Sequence, residues 1–95
     1  MAVAALTLLA DPTRLRLLWL LSTAECDVGT MADLVGTTPA ATSQHLGKLR
    51  LAGLVSVRQE GRHRVYATRG GHVARLVQEA LYYAGHRVSG EPDHE

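Results

Sequence analysis

The chain has 95 residues, which is enough for one small domain, and its hydrophobic fraction of 46% is ordinary for a globular protein. A domain of this size buries only about two thirds of the surface that its unfolded chain exposes, so self-association is expected to add stability. Cys26 is the sole cysteine, which excludes an intrachain disulfide and a four-cysteine zinc site and fits a reducing cytoplasm. No apolar run approaches the roughly 18 residues that cross a membrane, so no membrane partner is expected.

Positive charge is concentrated in the second half of the chain, although the net charge is only +1. The segment between residues 44 and 75 contains a single acidic residue, Glu60. It contains these basic residues: Lys48, Arg50, Arg58, Arg62, Arg64, Arg69 and Arg75. Such asymmetry is typical of a surface that binds nucleic acid. The alternative is a solvated face on which the charges cluster by chance.

The first part of the chain predicts two helices in direct succession. Residues 2–9 form a short apolar helix. A longer helix begins behind Asp11, an N-cap candidate, with Pro12 at the first helical position, where its missing N–H costs nothing. Leucines and Trp19 recur at helical spacing until Ser22, so this helix is expected at the centre of the core.

A helix-turn-helix is predicted next. After a connector over residues 22–28, Thr30 and Asp33 form a capping box for a short helix. Gly36 fits a left-handed end of that helix, and Thr38 caps the next one. The gap between the two helices is as short as a helix-turn-helix requires.

The helix over residues 39–51 has two unlike faces. At about 100° per residue, Thr42, Leu46 and Leu49 fall on one side. The other side holds small and polar residues, namely Ala40, Ser43, Gln44, Gly47 and Lys48. A major groove about 12 Å wide admits one such helix, small residues permit close approach, and amide or hydroxyl groups can contact base edges.

A basic hairpin follows once Gly53 has ended this helix. Residues 54–59 and 63–68 alternate as strands, and residues 60–62 supply the turn. The arginines around the turn are suited to contact the minor groove or the backbone next to the helix.

One domain over residues 1–88 accounts for these elements. Gly70 and Gly71 break the chain before a last amphipathic helix, and the polar stretch over residues 89–95 is predicted to be a disordered tail. The fold class is therefore mainly α with a small β-hairpin, a winged helix-turn-helix.

The order of capped helix and basic hairpin predicts a surface for double-stranded DNA. Gln44 and Ser43 are the candidates for base-edge contacts, whereas His45 lies beside the leucine stripe, where partial packing is favoured over base reading. The candidate set is Thr37, Thr38, Ala40, Ser43, Gln44, His45, Lys48, Arg58, Arg62, His63 and Arg64. The alternative is an ordinary amphipathic helix followed by an edge hairpin.

Short segments between Leu9 and Tyr66 form one continuous pattern: residues 9–18 (LADPTRLRLL), 43–46 (SQHL), 49–50 (LR), 52–55 (AGLV) and 61–66 (GRHRVY). They resemble the second helix, the recognition helix, the wing entry and the wing of the ArsR/SmtB family of bacterial metal-responsive transcription factors. The resemblance implies a cytoplasmic homodimer that associates through its first and last helices and binds an imperfect palindrome. Its recognition helices would lie about 34 Å apart, one turn of DNA.

The resemblance also implies an effector site on the last helix. The positions that match the family's metal ligands are Gly70, His72, Tyr83 and His86, so two histidines are retained and two ligands are replaced. His72 and His86 are ~21 Å apart along a helix and could meet only between antiparallel helices of two subunits. With Glu79 they give a mixed nitrogen and oxygen ligand set, which suits nickel or cobalt better than a thiolate-binding metal.

Several alternatives remain open at this stage. The effector could be nickel, another divalent transition metal such as cobalt or zinc, or no metal at all. In the last case a regulatory partner protein would take over sensing. A protein-interaction module without DNA binding is disfavoured by the arginine-rich wing. An enzyme is disfavoured because no nucleophile with its base and no glycine-rich phosphate loop is present.

Overall fold

The computed structural model describes the backbone of residues 7–89 and the side chains of residues 7–82. Most of the helix predicted over residues 2–9 and most of the tail predicted over residues 89–95 lie outside the described residues, although residues 7–9 are helical. The elements in chain order are α1 (Pro12–Thr23), β1 (Cys26–Asp27), α2 (Val28–Val35), α3 (Pro39–Leu51), β2 (Val55–Glu60), β3 (His63–Thr68) and α4 (Gly71–Ser89). The predicted fold class is confirmed.

The cap of α1 forms as the sequence predicts. Asp11 accepts hydrogen bonds from the backbone N–H groups of Thr13 (2.8 Å) and Arg14 (3.0 Å), and Pro12 occupies the first turn. The bond from Arg14 is the main reason why the pKa of Asp11 lies below its ordinary value. These bonds satisfy N–H groups that the helix itself leaves without acceptors.

A short strand extends the hairpin to a three-stranded antiparallel sheet in the order β1-β3-β2. Cys26 lies opposite Tyr66, and Asp27 lies opposite Val65. The predicted connector over residues 22–28 is therefore wrong in part. A strand of two residues is too short for period-2 alternation to reveal it, and its pairing partner is distant in the sequence.

The start of α2 also differs from the prediction. Asp27 is its N-cap and accepts bonds from the backbone N–H (3.2 Å) and the hydroxyl group (2.6 Å) of Thr30. The predicted capping box of Thr30 and Asp33 is wrong, because Thr30 lies inside the first turn as a donor. The end of α2 is as predicted, since Gly36 is left-handed with a φ of 75°.

The core lies where the helices α1–α4 meet the inner face of the sheet. Its buried members are Leu17, Leu18, Leu21, Met31, Leu46, Leu49, Val55, Tyr66 and Val77. Trp19 was expected on the apolar stripe of α1, yet it is 45% exposed, and Leu76 on the amphipathic helix α4 is 47% exposed. None of the helices in the described part of the chain has the length and apolarity needed to cross a bilayer.

The buried and exposed faces of α3 can be tested with one matched pair of substitutions. Replacing Leu46, which is fully buried, by alanine should lower the free energy of unfolding by about 2–5 kcal/mol, because contacts are lost and a cavity is left. Replacing Leu51, which is 90% exposed on the same helix, should change it by less than about 0.5 kcal/mol. Urea unfolding at equal protein concentration measures both, and equal losses would contradict the assigned faces.

The cap of α2 should make stability depend on pH. The pKa of Asp27 lies below its ordinary value of 3.8, chiefly because its carboxylate accepts the hydroxyl hydrogen bond of Thr30. Since the pKa is lower in the folded state, the stabilisation is present above about pH 4 and is lost as the pH falls through the folded-state pKa. Asp27→Asn has one accepting oxygen in place of two, so it keeps only part of the cap, but it does not titrate. Its melting temperature should therefore fall less steeply with acid than that of the parent. An equally steep fall would show that Asp27 contributes nothing to the acid response.

Candidate nucleic-acid interface

One face of α3 is fixed against the rest of the molecule. The Thr38 hydroxyl accepts a bond from the backbone N–H of Ala41 at 3.1 Å and so caps the helix. Thr42, Leu46 and Leu49 are fully buried, and α3 packs against α1, α2 and β2. The one polar group in this stripe is satisfied, since the Thr42 hydroxyl donates to the backbone carbonyl of residue 38 at 2.9 Å.

The opposite face of α3 is open to solvent and carries small and polar side chains. The side chains of Ser43, Gln44 and Lys48 are exposed and make no hydrogen bond or ion pair with the rest of the described chain. Ala40 is exposed as well, and Gly47 lies on the same side without a side chain. This face can therefore approach a partner closely and offer it an amide, a hydroxyl and an ammonium group.

The turn before α3 limits what one predicted residue can do. The backbone N–H of Thr37 donates to the carbonyl of Ala32 at 3.0 Å, within the left-handed turn at Gly36. That N–H is therefore not available to a phosphate, and only the half-buried hydroxyl of Thr37 remains. Thr38 uses its oxygen lone pair for the cap, and its hydroxyl hydrogen is still able to donate.

The predicted cations of the wing fall into two groups. Arg58 makes ion pairs with Glu25 (2.8 Å) and Glu60 (3.2 Å), and these carboxylates raise its pKa. Arg62 and Arg64 are exposed and have no ion pair within residues 7–82. The charge of Arg58 is thus engaged inside the protein, whereas the cations at the turn and at the start of β3 are available to a partner.

The two faces of the wing differ in charge. Arg58 lies opposite Val65, and Glu60 lies opposite His63, so these side chains share one face of the sheet. Arg64 lies opposite Gln59 and belongs to the other face. The acid-bearing face borders a cleft lined by Glu25, Cys26, Asp27, Thr30, Arg58, Glu60, His63 and Val65. The structure thus separates His63 from Arg64, although both were predicted to contact DNA.

His45 is half-buried at the side of α3, and its Nδ1 lies 3.2 Å from the Nη1 atom of Arg14. No local pattern predicts this contact, because the two residues are 31 positions apart. The exposure of Leu51 on the open face of α3 was also not predicted. Helical periodicity alone could have predicted it, because Leu51 lies three turns after Ala40 and therefore on the same side of the helix. Its side chain borders a shallow groove together with Gln44, Gly47 and Lys48.

The described residues do not form a metal site. No three side chains of histidine, cysteine, aspartate or glutamate come together within residues 7–82. His72 is exposed, its Nδ1 accepts a hydrogen bond from Arg75 at 3.0 Å, and the exposed Glu79 lies two turns further along α4. The side chain of His86 lies outside the described residues. Burial raises the pKa of Cys26, which disfavours the thiolate form that binds metals.

Comparison with known proteins agrees with this architecture. A helix-turn-helix domain family matches residues 9–58. The HTH-type transcriptional regulator KmtR of Mycobacterium tuberculosis is 39% identical over 94 residues, which cover 99% of this chain and 72% of KmtR. NmtR, a regulator from the same organism, is 38% identical over 85 residues, which cover 90% of this chain and 71% of NmtR.

A solved structure extends the similarity to the whole fold. It is the homodimeric winged helix-turn-helix DNA-binding domain of Mb0332 from Mycobacterium bovis, a possible ArsR-family transcriptional regulator. It superposes with a TM-score of 0.85 at 30% sequence identity and covers 99% of this chain and 87% of that domain. The open face of α3, the basic wing and these relatives agree, and the chain belongs to the ArsR/SmtB family of winged helix-turn-helix transcriptional regulators.

Proposed function

We propose that this regulator acts in the cytoplasm as a homodimer that inserts α3 of each subunit into the major groove of a palindromic operator. The observation that carries the proposal is the open face of α3, whose polar groups have no partner in the described chain and lie opposite the buried leucines. Exposed amide, hydroxyl and ammonium groups on a helix with small neighbours suit base edges and phosphates.

The exposed side chains of α3 suit different parts of the DNA, namely base edges and phosphates. Gln44 can donate to and accept from adenine at the same time, and Ser43 can bond either kind of base edge. Lys48 and the Thr38 hydroxyl suit phosphate oxygens, which fix the position of the helix without reading sequence. Ala40 serves by its small size, since a longer side chain there would hold the helix away from the bases.

The wing contributes charge. Arg62 and Arg64 are exposed and unpaired in the described chain, so they can neutralise phosphates and release counterions. Arg58 would first have to leave two carboxylates, so we assign it to holding the wing against β1. His63 shares its sheet face with Glu60, which makes that face less attractive to a polyanion than the turn is.

Self-association is supported by apolar surface that one chain leaves uncovered. Trp19 on α1 and Leu76 on α4 are about half exposed, and α1 and α4 pack on each other. A second copy would cover such residues. The Mb0332 domain is homodimeric and shares the fold. A two-fold axis would place two recognition helices about 34 Å apart, which matches half-sites one DNA turn apart.

The effector of this regulator is not explained by one chain alone, because its described residues do not form a metal site. We propose that a nickel, cobalt or zinc site would need His72 and Glu79 together with His86 of the partner subunit. The presence of two histidines on one helix supports this metal-sensing hypothesis. The contact between Arg75 and His72 favours the other version, in which no metal binds and a partner protein senses the signal.

The DNA face can be tested with two substitutions, one expected to change sequence specificity and the other to change overall affinity. The DNA is an operator selected from random duplexes. Gln44→Ala should lower discrimination between operator and single-base variants by about 1–3 kcal/mol. Arg62→Ala should weaken all duplexes alike and lower the slope of log K against log salt by about 1 per subunit. Fluorescence anisotropy at several salt concentrations measures both. Arg16→Ala is the control, because Arg16 is also exposed and unpaired in the described chain but lies on α1. Parent-like binding by both test variants would refute the assigned face.

The metal version is tested by measuring operator affinity with chelator and then with added nickel, cobalt or zinc. An intersubunit site predicts a change of at least about tenfold, or 1.4 kcal/mol, that His72→Ala abolishes. Equal affinity in all conditions would exclude a metal effector at these residues and leave the partner-protein version.

A further inference from the structure

Arg14 connects three parts of the molecule that are distant in sequence. Its backbone N–H donates to the Asp11 carboxylate at 3.0 Å, and its Nε donates to the backbone carbonyl of Leu8 at 2.9 Å. Its Nη1 lies 3.2 Å from Nδ1 of His45. One side chain therefore joins the helical segment over residues 7–9, the start of α1 and the recognition helix α3.

The chemistry of this contact fixes the state of the histidine ring. A guanidinium group only donates hydrogen bonds and does not lose its proton in proteins. Nδ1 of His45 is therefore the acceptor, which places the ring proton on Nε2. The Asp11 carboxylate also interacts electrostatically with His45, so a charged group of each sign lies near this ring.

The contact leaves the other ring nitrogen available to a partner. The Arg14 contact is the single hydrogen bond of the His45 side chain within residues 7–82, so its Nε2–H has no acceptor there. The ring is half-buried and follows Gln44 directly on α3. Such a position is at the side of the open face, where the groove wall of a bound duplex presents phosphates rather than bases.

We propose that Arg14 is a positioning residue that fixes the orientation and tautomer of His45, with Nδ1 as the acceptor and the proton on Nε2, so that His45 donates a hydrogen bond to a DNA phosphate beside the bases contacted by Gln44. The inference rests on the proposed DNA-binding function and adds a contact to it. A phosphate oxygen is an acceptor for this N–H, and a hydrogen bond to a charged acceptor is stronger than one to a neutral group.

The ring state is tested first on the free protein, so that the result does not depend on DNA. Long-range proton–nitrogen NMR spectra of the imidazole groups at neutral pH distinguish the two neutral tautomers. The expected result is that His45 carries its proton on Nε2 in the parent and in Arg16→Ala, and becomes a mixture of tautomers in Arg14→Ala. A proton on Nδ1 in the parent, or an unchanged ring in Arg14→Ala, would overturn the proposal.

The contact with phosphate is tested by two amides of different reach. His45→Gln places an N–H near the position of Nε2 and should keep operator affinity within about threefold. His45→Asn places its amide near Nδ1 and should lose about tenfold, as expected for one hydrogen bond to a charged group. Circular dichroism checks that each variant is folded. Equal affinity of the two variants would refute the contact while the Gln44 and Arg62 results still judge the DNA face itself.

Discussion

The structure depends on the rotational position of one helix about its own axis. Burial of Thr42, Leu46 and Leu49 against α1, α2 and β2 leaves a single open face on α3. A rotation by one residue, about 100°, would turn Gln44 away from a partner and bring leucine into water. The hydrophobic effect that stabilises the fold therefore also determines which groups of α3 face outward, so packing and the proposed recognition of DNA cannot vary independently.

Local capping interactions determine where α3 begins. The carboxylate of Asp27 starts α2, the left-handed Gly36 ends it, and the hydroxyl of Thr38 starts α3. The wing is held by different means: β1 pairs with β3, and Arg58 reaches from β2 to Glu25 next to β1. A wing fixed at its base leaves Arg62 exposed at the turn, where we propose contact with the DNA backbone. Rigidity at the base and free charge at the turn thus serve the same interaction.

The features that the sequence predicted are those with local causes. Thr38, Pro39 and Gly36 act within one turn of the chain, and the two faces of α3 follow from helical periodicity. The features that it missed depend on distant partners. The strand β1 exists because β3 is available to pair with it, and the ion pair of Arg58 needs Glu25 from before the helix-turn-helix. The contact of Arg14 with His45 likewise joins two helices, and no local pattern records it.

The central claim is that the open face of α3 and the wing turn contact DNA. The most direct measurement is the set of NMR chemical-shift changes of the isotope-labelled protein as operator duplex is added. The expected result is that the largest changes occur at Ser43, Gln44 and Lys48 and around Arg62, including the side-chain amide of Gln44, with small changes around Glu25. Large changes in α1 and α4 with an unaffected α3 would contradict the assignment of the DNA-binding surface.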